Sequence, residues 1–240
     1  MEDSLFKILT DGVMQIDNSF CNDFVLSKLR RLYDEITLFN PSYGLVNASG
    51  KDLVVRHILD CLAPATIISK SNGLNGASSG EAPSGTLSAA NAQEPIKMAD
   101  LGSGSGLPGL VLATVLPNWD ISLVERMGRR AGFLRNTTAV MGMSQRIRII
   151  QKDLSEVQDH FNVITFRAFR PFKDIISDLD RILLPGGAVY AYKSSQDNID
   201  EELATVSSYT GCAFTHKILD YQVPMLDAKR RMLVLSKSLV

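Results

Sequence analysis

Apolar residues recur at spacings of three and four along the first part of the chain. Between Cys21 and Phe39 they form one stripe of a helix, made of Phe24, Val25, Leu29, Leu32, Tyr33 and Ile36. A turn-rich segment follows over 40–50, after which we expect Asp52 to cap a second helix. The apolar positions of that helix are Leu53, Val54, Ile58, Leu59 and Leu62. The pattern therefore predicts that the first seventy residues are helical.

Beyond residue 95 the pattern alternates between short apolar strands and longer helices. The predicted strands lie at 97–101, 120–125, 146–151, 162–168, 188–193, 213–219 and 231–236, and the predicted helices at 107–116, 128–141 and 171–184. Such alternation is typical of a doubly wound, mostly parallel sheet covered on both faces. Because no long helix is predicted between the late strands, we expect them to form an antiparallel edge pair. The fold class is α/β and Rossmann-like, with seven strands.

Small and polar residues dominate between residues 70 and 95, and only two leucines interrupt them. Such a segment buries too little apolar surface to fold, so we interpret it as a solvated linker, with a binding role as the alternative. The predicted organisation is a helical cap over 1–69, a low-complexity loop over 70–95 and a Rossmann-like domain over 96–240.

Charge and cysteine content narrow the class of protein. With 25 Lys+Arg against 26 Asp+Glu, the net charge of −1 gives no support to a non-specific nucleic-acid binder. The three cysteines are far apart, which fits neither a disulfide framework nor a zinc site. No apolar run is long enough to cross a bilayer, and the amino terminus carries acids where a secretory signal is basic. We expect a cytoplasmic protein that binds neither metal nor membrane.

A glycine-rich loop, DLGSGSGLPG, begins at Asp100, directly after the first predicted strand of the sheet. Glycines such as Gly102, Gly104 and Gly106 let the backbone pass close to a ligand before it turns into a helix. Residues 104–109 also match G-x-G-x-x-G, which is a weak signal when taken alone. The loop is compatible with a nicotinamide dinucleotide or with S-adenosylmethionine.

Two of three acidic residues near the loop favour S-adenosylmethionine over a dinucleotide. Asp100 would repel a pyrophosphate but attract the ammonium of a methionine moiety. Glu125 ends the second strand, where a carboxylate accepts ribose hydroxyls under either interpretation. Asp153 follows the third strand and could accept the adenine amino group. The alternative for Asp100 and Asp153 is that both cap turns or helices.

Several motifs together resemble one family, the bacterial small-subunit ribosomal RNA guanine-N7 methyltransferases, also called glucose-inhibited division protein B. They are VVRHILDCL, DLGSGSGLPGLVLA, LVERMGRRAGFL, ITFRAFRPF and LLPGG followed by AYK, and the resemblance covers most of residues 30–195. It implies a class I methyltransferase fold with an N-terminal helical cap. It also implies S-adenosylmethionine as cofactor and a guanine of 16S ribosomal RNA, in the small ribosomal subunit, as substrate.

The resemblance also implies individual residues. Cofactor contacts would include Gly102, Leu107, Asp153, Leu154 and Arg167. Three departures lie elsewhere: a loosely similar segment at 40–43 replaces the family's N-L-T, the insertion before the first strand is long, and Ser194 stands where glycine is usual. The first and the third leave the substrate side less determined than the cofactor pocket.

Guanine N7 carries an in-plane lone pair, so its methylation needs positioning and electrostatics more than a general base. After the fourth strand the chain has Arg167-Ala168-Phe169-Arg170-Pro171 in place of the [DNS]-P-P-[YF] loop of exocyclic-amine methyltransferases. We predict Arg167 as the catalytic residue, orienting the cofactor or donating to the guanine. The alternative is a structural salt bridge.

The remaining candidates are predicted to contact the RNA. They are Arg56, His57, Arg129, Arg130, Arg170 and Lys193. For each the alternative is a solvated or structural role, and Arg56 could pair with Asp60 one helical turn away. The rival functions are a methyltransferase for another RNA or a small molecule, and a non-catalytic Rossmann-like module that binds the ribosome. Intact Asp100, Glu125 and glycines argue against the silent module. We expect a monomer.

Overall fold

The computed structural model describes residues 1–71, 95–194 and 196–239. The predicted loop over 70–95 lies almost wholly outside the described residues. Its role as a linker, and the division of the chain at residues 69 and 96, therefore stay predictions.

The N-terminal part is helical, as predicted. Its elements are α1 (Asp3–Ile16), α2 (Asp23–Tyr43), α3 (Gly50–Leu53), a π-helix (Val54–Leu59), α4 (Asp60–Leu62) and α5 (Ala65–Ser71). From Gly50 to Leu62 three of these elements form one continuous helical run, which we call the cap helix. A π-helix carries i→i+5 hydrogen bonds and often marks a functional position.

Two expectations about these helices were wrong in detail. Helix α2 continues past Pro41 and ends at Gly44, which adopts a left-handed conformation with φ of 56°. Asp52 does not cap the second helix, because that helix begins at Gly50 with Ser49 in the N-cap position.

The predicted apolar stripe of α2 is buried, with the exception of its first member. Val25, Leu29, Leu32, Tyr33 and Ile36 lie in the core. Phe24 is half exposed in the first turn, where the ammonium of Lys28 lies over its ring. Its place in the stripe was therefore predicted wrongly.

The second part of the chain alternates strands and helices. The strands are β1 (Ile96–Leu101), β2 (Trp119–Val124), β3 (Ile147–Ile150), β4 (Phe161–Arg167), β5 (Leu183–Lys193), β6 (Phe214–Tyr221) and β7 (Arg230–Lys237). The helices are α6 (Gly109–Val115), α7 (Gly128–Val140), α8 (Phe172–Ile182) and α9 (Gln196–Ser208). Sequence reasoning missed α9, although Ile199, Leu203 and Val206 carry helical spacing.

The seven strands form one sheet in the order β3-β2-β1-β4-β5-β7-β6. Strands β1 to β5 are parallel, and β7 runs antiparallel to both β5 and β6, which confirms the predicted edge pair. The chain winds in one direction from β1 to β3 and in the other from β4. In such sheets ligands bind outside the carboxyl ends of the strands at this switch point, here between β1 and β4.

The apolar core divides between the two faces of the sheet. On one face α6, α7 and the cap pack together, with Leu29, Ile58 and Phe133 among the buried residues. On the other face α8 and α9 bury Phe172 and Ile199. The helical cap therefore lies on the same face as the helix that follows the glycine loop.

Candidate functional site

The glycine loop after β1 is folded by its own backbone. The N–H groups of Gly102 and Ser103 donate to the carbonyl of Val124, at 2.9 and 3.2 Å. Gly102 and Gly104 have φ of 66° and 51°, a left-handed conformation that residues with a Cβ atom rarely adopt. Leu107 is buried beside this turn. The loop thus forms a concave backbone surface at the switch point.

Glu125 lies immediately after β2 and is 4% exposed. Its Oε2 accepts from the N–H of Gly104 at 3.1 Å, and its Oε1 accepts from the N–H of Met127 at 2.8 Å. Because each carboxylate oxygen has a second lone pair, both can still accept ribose hydroxyls.

Asp100 is fully buried beneath the same loop. Its Oδ2 accepts from the N–H of Gly109 at 3.0 Å, so the capping alternative holds for that oxygen. Its Oδ1 has no hydrogen-bond partner within the described part of the chain. Burial raises the pKa of Asp100 to about 7. An ionised carboxylate here lacks a positive partner, which a ligand ammonium would supply.

Asp153 has the capping role that was the alternative for it, and it also pairs with an arginine. Its side chain forms a capping box with Glu156 around the short 3₁₀ turn Leu154–Glu156. Its Oδ2 accepts from the guanidinium of Arg170 at 2.5 Å, and this hydrogen bond lowers the pKa of Asp153. Leu154 is buried directly after it. Asp153 is thus a turn cap tied to the loop after β4, and its contact with adenine stays a prediction.

The turn after β4 lies against the glycine loop. Ala168 has φ of 51°, an uncommon conformation for a residue with a side chain. An ideal Cβ built at Gly102 would come within 2.3 Å of the Phe169 ring. Only glycine at position 102 lets the turn come this close.

Arg167, the last residue of β4, points toward the cap helix. Its Nη2 donates to the carbonyl of Arg56 at 3.1 Å and lies 3.2 Å from Nδ1 of His57. Its Nη1 lies 3.4 Å from Sγ of Cys61 and 3.6 Å from Oδ2 of Asp60. Arg167 thus forms the salt bridge that was the alternative for it, because the cap helix covers it, and its catalytic role stays a prediction. It still lines the cleft.

Asp60 makes several contacts that were not predicted from the sequence. Its Oδ1 accepts from Nε of Arg230 and from the hydroxyl of Tyr221, both at 3.1 Å. The expected pairing of Arg56 with Asp60 is replaced by an ion pair between Arg56 and Asp52 at 3.3 Å. Burial raises the pKa of Asp60, and the two neighbouring guanidiniums oppose that shift.

His57 and Cys61 are held in their neutral forms. Burial, helped by the charge of Arg167, lowers the pKa of His57 to about 4. Burial raises the pKa of the Cys61 thiol to about 12. Near neutral pH His57 therefore carries no charge and Cys61 is not a thiolate nucleophile.

A cleft of about 470 Å³ opens beside these residues, between the ends of β4 and β5 and the helix α9. Its lining includes Asp60, Arg167, Phe169, Arg170, Tyr192, Lys193, Glu202, Tyr221 and Arg230. Lys193 is not solvated, since its ammonium pairs with Glu202 at 2.8 Å and both side chains are largely buried. Glu202 belongs to the helix that sequence reasoning missed.

Arg129 and Arg130 lie outside this cleft, at the start of α7. Their guanidiniums reach the carbonyls of Ser42 and Gly44, at 3.5 and 3.4 Å, and Arg129 lies over the ring of Tyr43. Both are exposed. They join α7 to the cap, and a role in RNA binding stays a prediction.

The part of the chain that the structure describes contains neither a metal-binding cluster nor a membrane-spanning helix. No group of three His, Cys, Asp or Glu side chains within 1–71, 95–194 and 196–239 could hold a metal ion. In the same ranges no helix is long and apolar enough to span a membrane.

The fold and this site define a class. Over 86% of its length the chain matches a SAM-dependent O-methyltransferase from Thermotoga maritima, covering 71% of that protein with a TM-score of 0.53 and 16% identity. A predicted O-methyltransferase from Agrobacterium tumefaciens matches 61% of the chain and 76% of its own length, with a TM-score of 0.50 and 24% identity. The chain has the fold of class I methyltransferases, whose cofactor is S-adenosylmethionine.

Sequence relatives narrow the class to one family. Residues 85–234 match the GidB family, described as rRNA small subunit methyltransferase G. Ribosomal RNA small subunit methyltransferase G of Treponema denticola is 33% identical over 228 residues, covering 88% of this chain and 87% of the relative. The Burkholderia multivorans relative of the same name is 26% identical and covers 96% and 92%. The chain belongs to the GidB family, and the resemblance predicted from its motifs is confirmed.

Proposed function

We propose that this chain transfers the methyl group of S-adenosylmethionine to N7 of a guanine in 16S ribosomal RNA. The observation that carries the proposal is the turn after β4, which lies against the glycine loop and carries Arg167 and Arg170 but no acidic or amine-positioning residue. An acceptor that already offers a lone pair needs no base at this position.

The cofactor half fits S-adenosylmethionine on two observations. The glycine loop has no side chain at Gly102, Gly104 and Gly106, which lets a ligand approach its backbone, and the unpartnered Oδ1 of Asp100 suits the ammonium of a methionine moiety. Glu125 would accept the ribose hydroxyls, while Asp153 and Leu154 would border the adenine. The bound cofactor supplies an electrophilic methyl group on a sulfonium.

The acceptor half would hold the guanine in the cleft beside β4 and β5. Arg167 supplies fixed positive charge near the base, where it favours the oxygen O6 and leaves the N7 lone pair free. Phe169 and Arg170 border the same space, so a flipped base could stack on the Phe169 ring. Lys193 contributes through its pair with Glu202 to the shape of the cleft.

The substrate class rests on the relatives, which are named as small-subunit ribosomal RNA methyltransferases. With a net charge of −1, the chain would bind RNA through local clusters, for which Arg56, Arg129, Arg130 and Arg170 are the candidates. We propose that the enzyme works as a monomer in the cytoplasm, on the small ribosomal subunit.

Mass mapping of 16S ribosomal RNA from cells with and without the gene tests the proposal. We expect one methylated guanine to lose its N7 methyl group without the gene and to regain it on complementation. Purified enzyme should then methylate that guanine in small subunits from the deleted strain. An unchanged 16S map together with a lost methyl group on another RNA would replace the proposed substrate.

A further inference from the structure

One edge of the sheet, formed by four adjacent strands, lies against the cap helix. In the order β4-β5-β7-β6, the residues at this edge are Arg167, Tyr192, Arg230 and Tyr221. The hydroxyl of Tyr192 donates to the carbonyl of Cys61 at 2.9 Å, and the other three reach Asp60. These four residues come from distant parts of the chain and meet over a segment of only six residues, 56–61.

Asp60 is the centre of this arrangement. Its carboxylate is almost wholly buried and lies between two guanidiniums, with Arg167 on Oδ2 and Arg230 on Oδ1. Both arginines and Asp60 line the cleft proposed for the guanine. One negative charge therefore fixes two positive charges at the mouth of that cleft.

We propose that Asp60 is a positioning residue for methyl transfer, which acts by holding the guanidinium of Arg167 in place together with Arg230. The inference rests on the proposed function, because it assigns Arg167 a task at the acceptor. Without the carboxylate the two guanidiniums would repel each other, and Arg167 would keep only its neutral contacts with Arg56, His57 and Cys61, so its guanidinium would shift.

A stabilising role alone does not account for such a cluster. Buried ion pairs contribute little more to stability than well-packed apolar residues of the same volume, since desolvation offsets much of the attraction. What a charge cluster provides and an apolar one does not is a fixed electrostatic field in the cleft. Asp60 needs no contact with the substrate to provide it.

The test compares Asp60→Asn with a matched control, Asp180→Asn. Asp180 is also a half-buried carboxylate with three partners. It accepts from the hydroxyl of Tyr209 at 2.9 Å and from the N–H of Cys212 at 3.2 Å, and it pairs with the ammonium of Lys237 at 2.8 Å. It does not line the cleft. Both variants remove one charge from a network, but only Asp60→Asn removes the ion pair of Arg167.

We expect kcat for methyl transfer to small subunits to fall in Asp60→Asn by about ten- to a hundredfold and by no more than in Arg167→Ala, because Asp60 acts through the position of that residue. KM for the subunit and the affinity for S-adenosylhomocysteine should not change. The double variant Asp60→Asn/Arg167→Ala should be no slower than Arg167→Ala alone, since both changes remove the same arrangement. Asp180→Asn should lower the melting temperature and leave kcat unchanged.

Nitrogen-15 NMR of the Arg167 guanidinium gives a readout that does not depend on activity. Its protons should exchange with water faster in Asp60→Asn than in the wild type or in Asp180→Asn. If Asp60→Asn does not fold, Tyr221→Phe removes one neutral donor from the carboxylate. It should lower kcat by about two- to tenfold, in line with one lost hydrogen bond, again without changing KM.

Three results would overturn the inference: an unchanged kcat in folded Asp60→Asn, equal losses in Asp60→Asn and Asp180→Asn, or additive losses in the double variant. A wild type that does not methylate 16S RNA would refute the proposed function instead. In that case the exchange rates at Arg167 still decide whether Asp60 holds the guanidinium.

Discussion

The two halves of the site are built in different ways. In the cofactor half, backbone groups of the glycine loop meet carboxylates that lie close in sequence, 9 residues apart for Gly109 with Asp100 and 21 for Gly104 with Glu125. In the acceptor half, long side chains meet across 111 residues for Arg167 with Arg56 and 170 for Arg230 with Asp60.

The cofactor half therefore depends on shape, and the acceptor half depends on charge. Glycine conformation and buried carboxylates give the cofactor half a fixed shape. A substitution there should therefore act by filling space that the ligand needs. The acceptor half depends on ion pairs between the cap and the sheet, so a substitution there should act through charge and position. Four predictions test that division.

The largest effect is expected for Gly104→Val. Gly104 has φ of 51°, which a β-branched residue avoids, and its side chain would point into the space the cofactor needs. Binding of S-adenosylhomocysteine, measured by calorimetry, should fall below detection. Gly132→Ala is the control, because a Cβ at Gly132 in α7 meets nothing within 4 Å. Binding of S-adenosylhomocysteine to Gly104→Val as tight as to the wild type would remove the loop from the cofactor site.

Arg167→Ala should have the second largest effect. Losing one charge-assisted contact in the transition state corresponds to roughly 1.5–3 kcal/mol, or about ten- to a hundredfold in rate. Because Asp60 loses a partner, the melting temperature should fall as well. Arg146→Ala is a matched control, since Arg146 donates to the carbonyls of Ala113, Leu116 and Pro117 away from the cleft. It should lose stability but keep its rate of methyl transfer, and Arg167→Ala with a normal rate would leave Arg167 purely structural.

Asp100 should make the stability of the cofactor-free protein depend on pH. Its folded-state pKa of about 7 lies above the ordinary carboxyl value of 3.8, so its contribution to stability is present below the lower value and is lost as pH rises through the upper one. The free energy of unfolding of the wild type, relative to Asp100→Asn, should fall by up to about 1.4 kcal/mol per pH unit between these values.

His57, whose pKa is lowered, contributes with the opposite sign in both proteins, so the difference isolates Asp100. Urea unfolding at several pH values measures the slope, and saturating S-adenosylhomocysteine should weaken it if its ammonium pairs with Asp100. A difference that does not vary with pH would show that Asp100 already has a positive partner.

The smallest effect is expected at Arg129 and Arg130. If each contacts a phosphate, replacing both with Gln should reduce the slope of log affinity against log salt by about 0.7–0.9 per arginine. Subunit binding measured at several salt concentrations gives the slope. Arg148→Gln, which breaks an exposed pair with Asp159, is the control and should not change it. An unchanged slope in the double variant would assign both arginines to the junction between α7 and the cap.

The same division decides what the sequence could predict. The strands, the glycine loop and Glu125 follow from local periodicity and from residues at strand ends. The partners of Asp60 do not, because nothing local pairs Asp60 with Arg230, which lies 170 residues away, and local spacing favoured Arg56 instead. Glu202 was missed for a related reason, since its helix was not predicted. Asp52 and Phe24 were mispredicted for another reason. Where a helix begins, and which residues at the border of an apolar stripe are buried, depend on how neighbouring elements pack.

The π-helix Val54–Leu59 gives the cap helix an unusual tolerance for a change in its length. Each residue of a regular helix turns the chain by about 100°, and a π-turn holds one residue more than an α-turn without turning the chain further. Deleting a single residue from 54–59 would restore regular winding and leave Asp60 close to its present direction, whereas the same deletion in the regular helix α2 would rotate every later residue of that helix by about 100°. The cap helix can therefore lose a residue at the π-helix and still direct Asp60 toward both arginines.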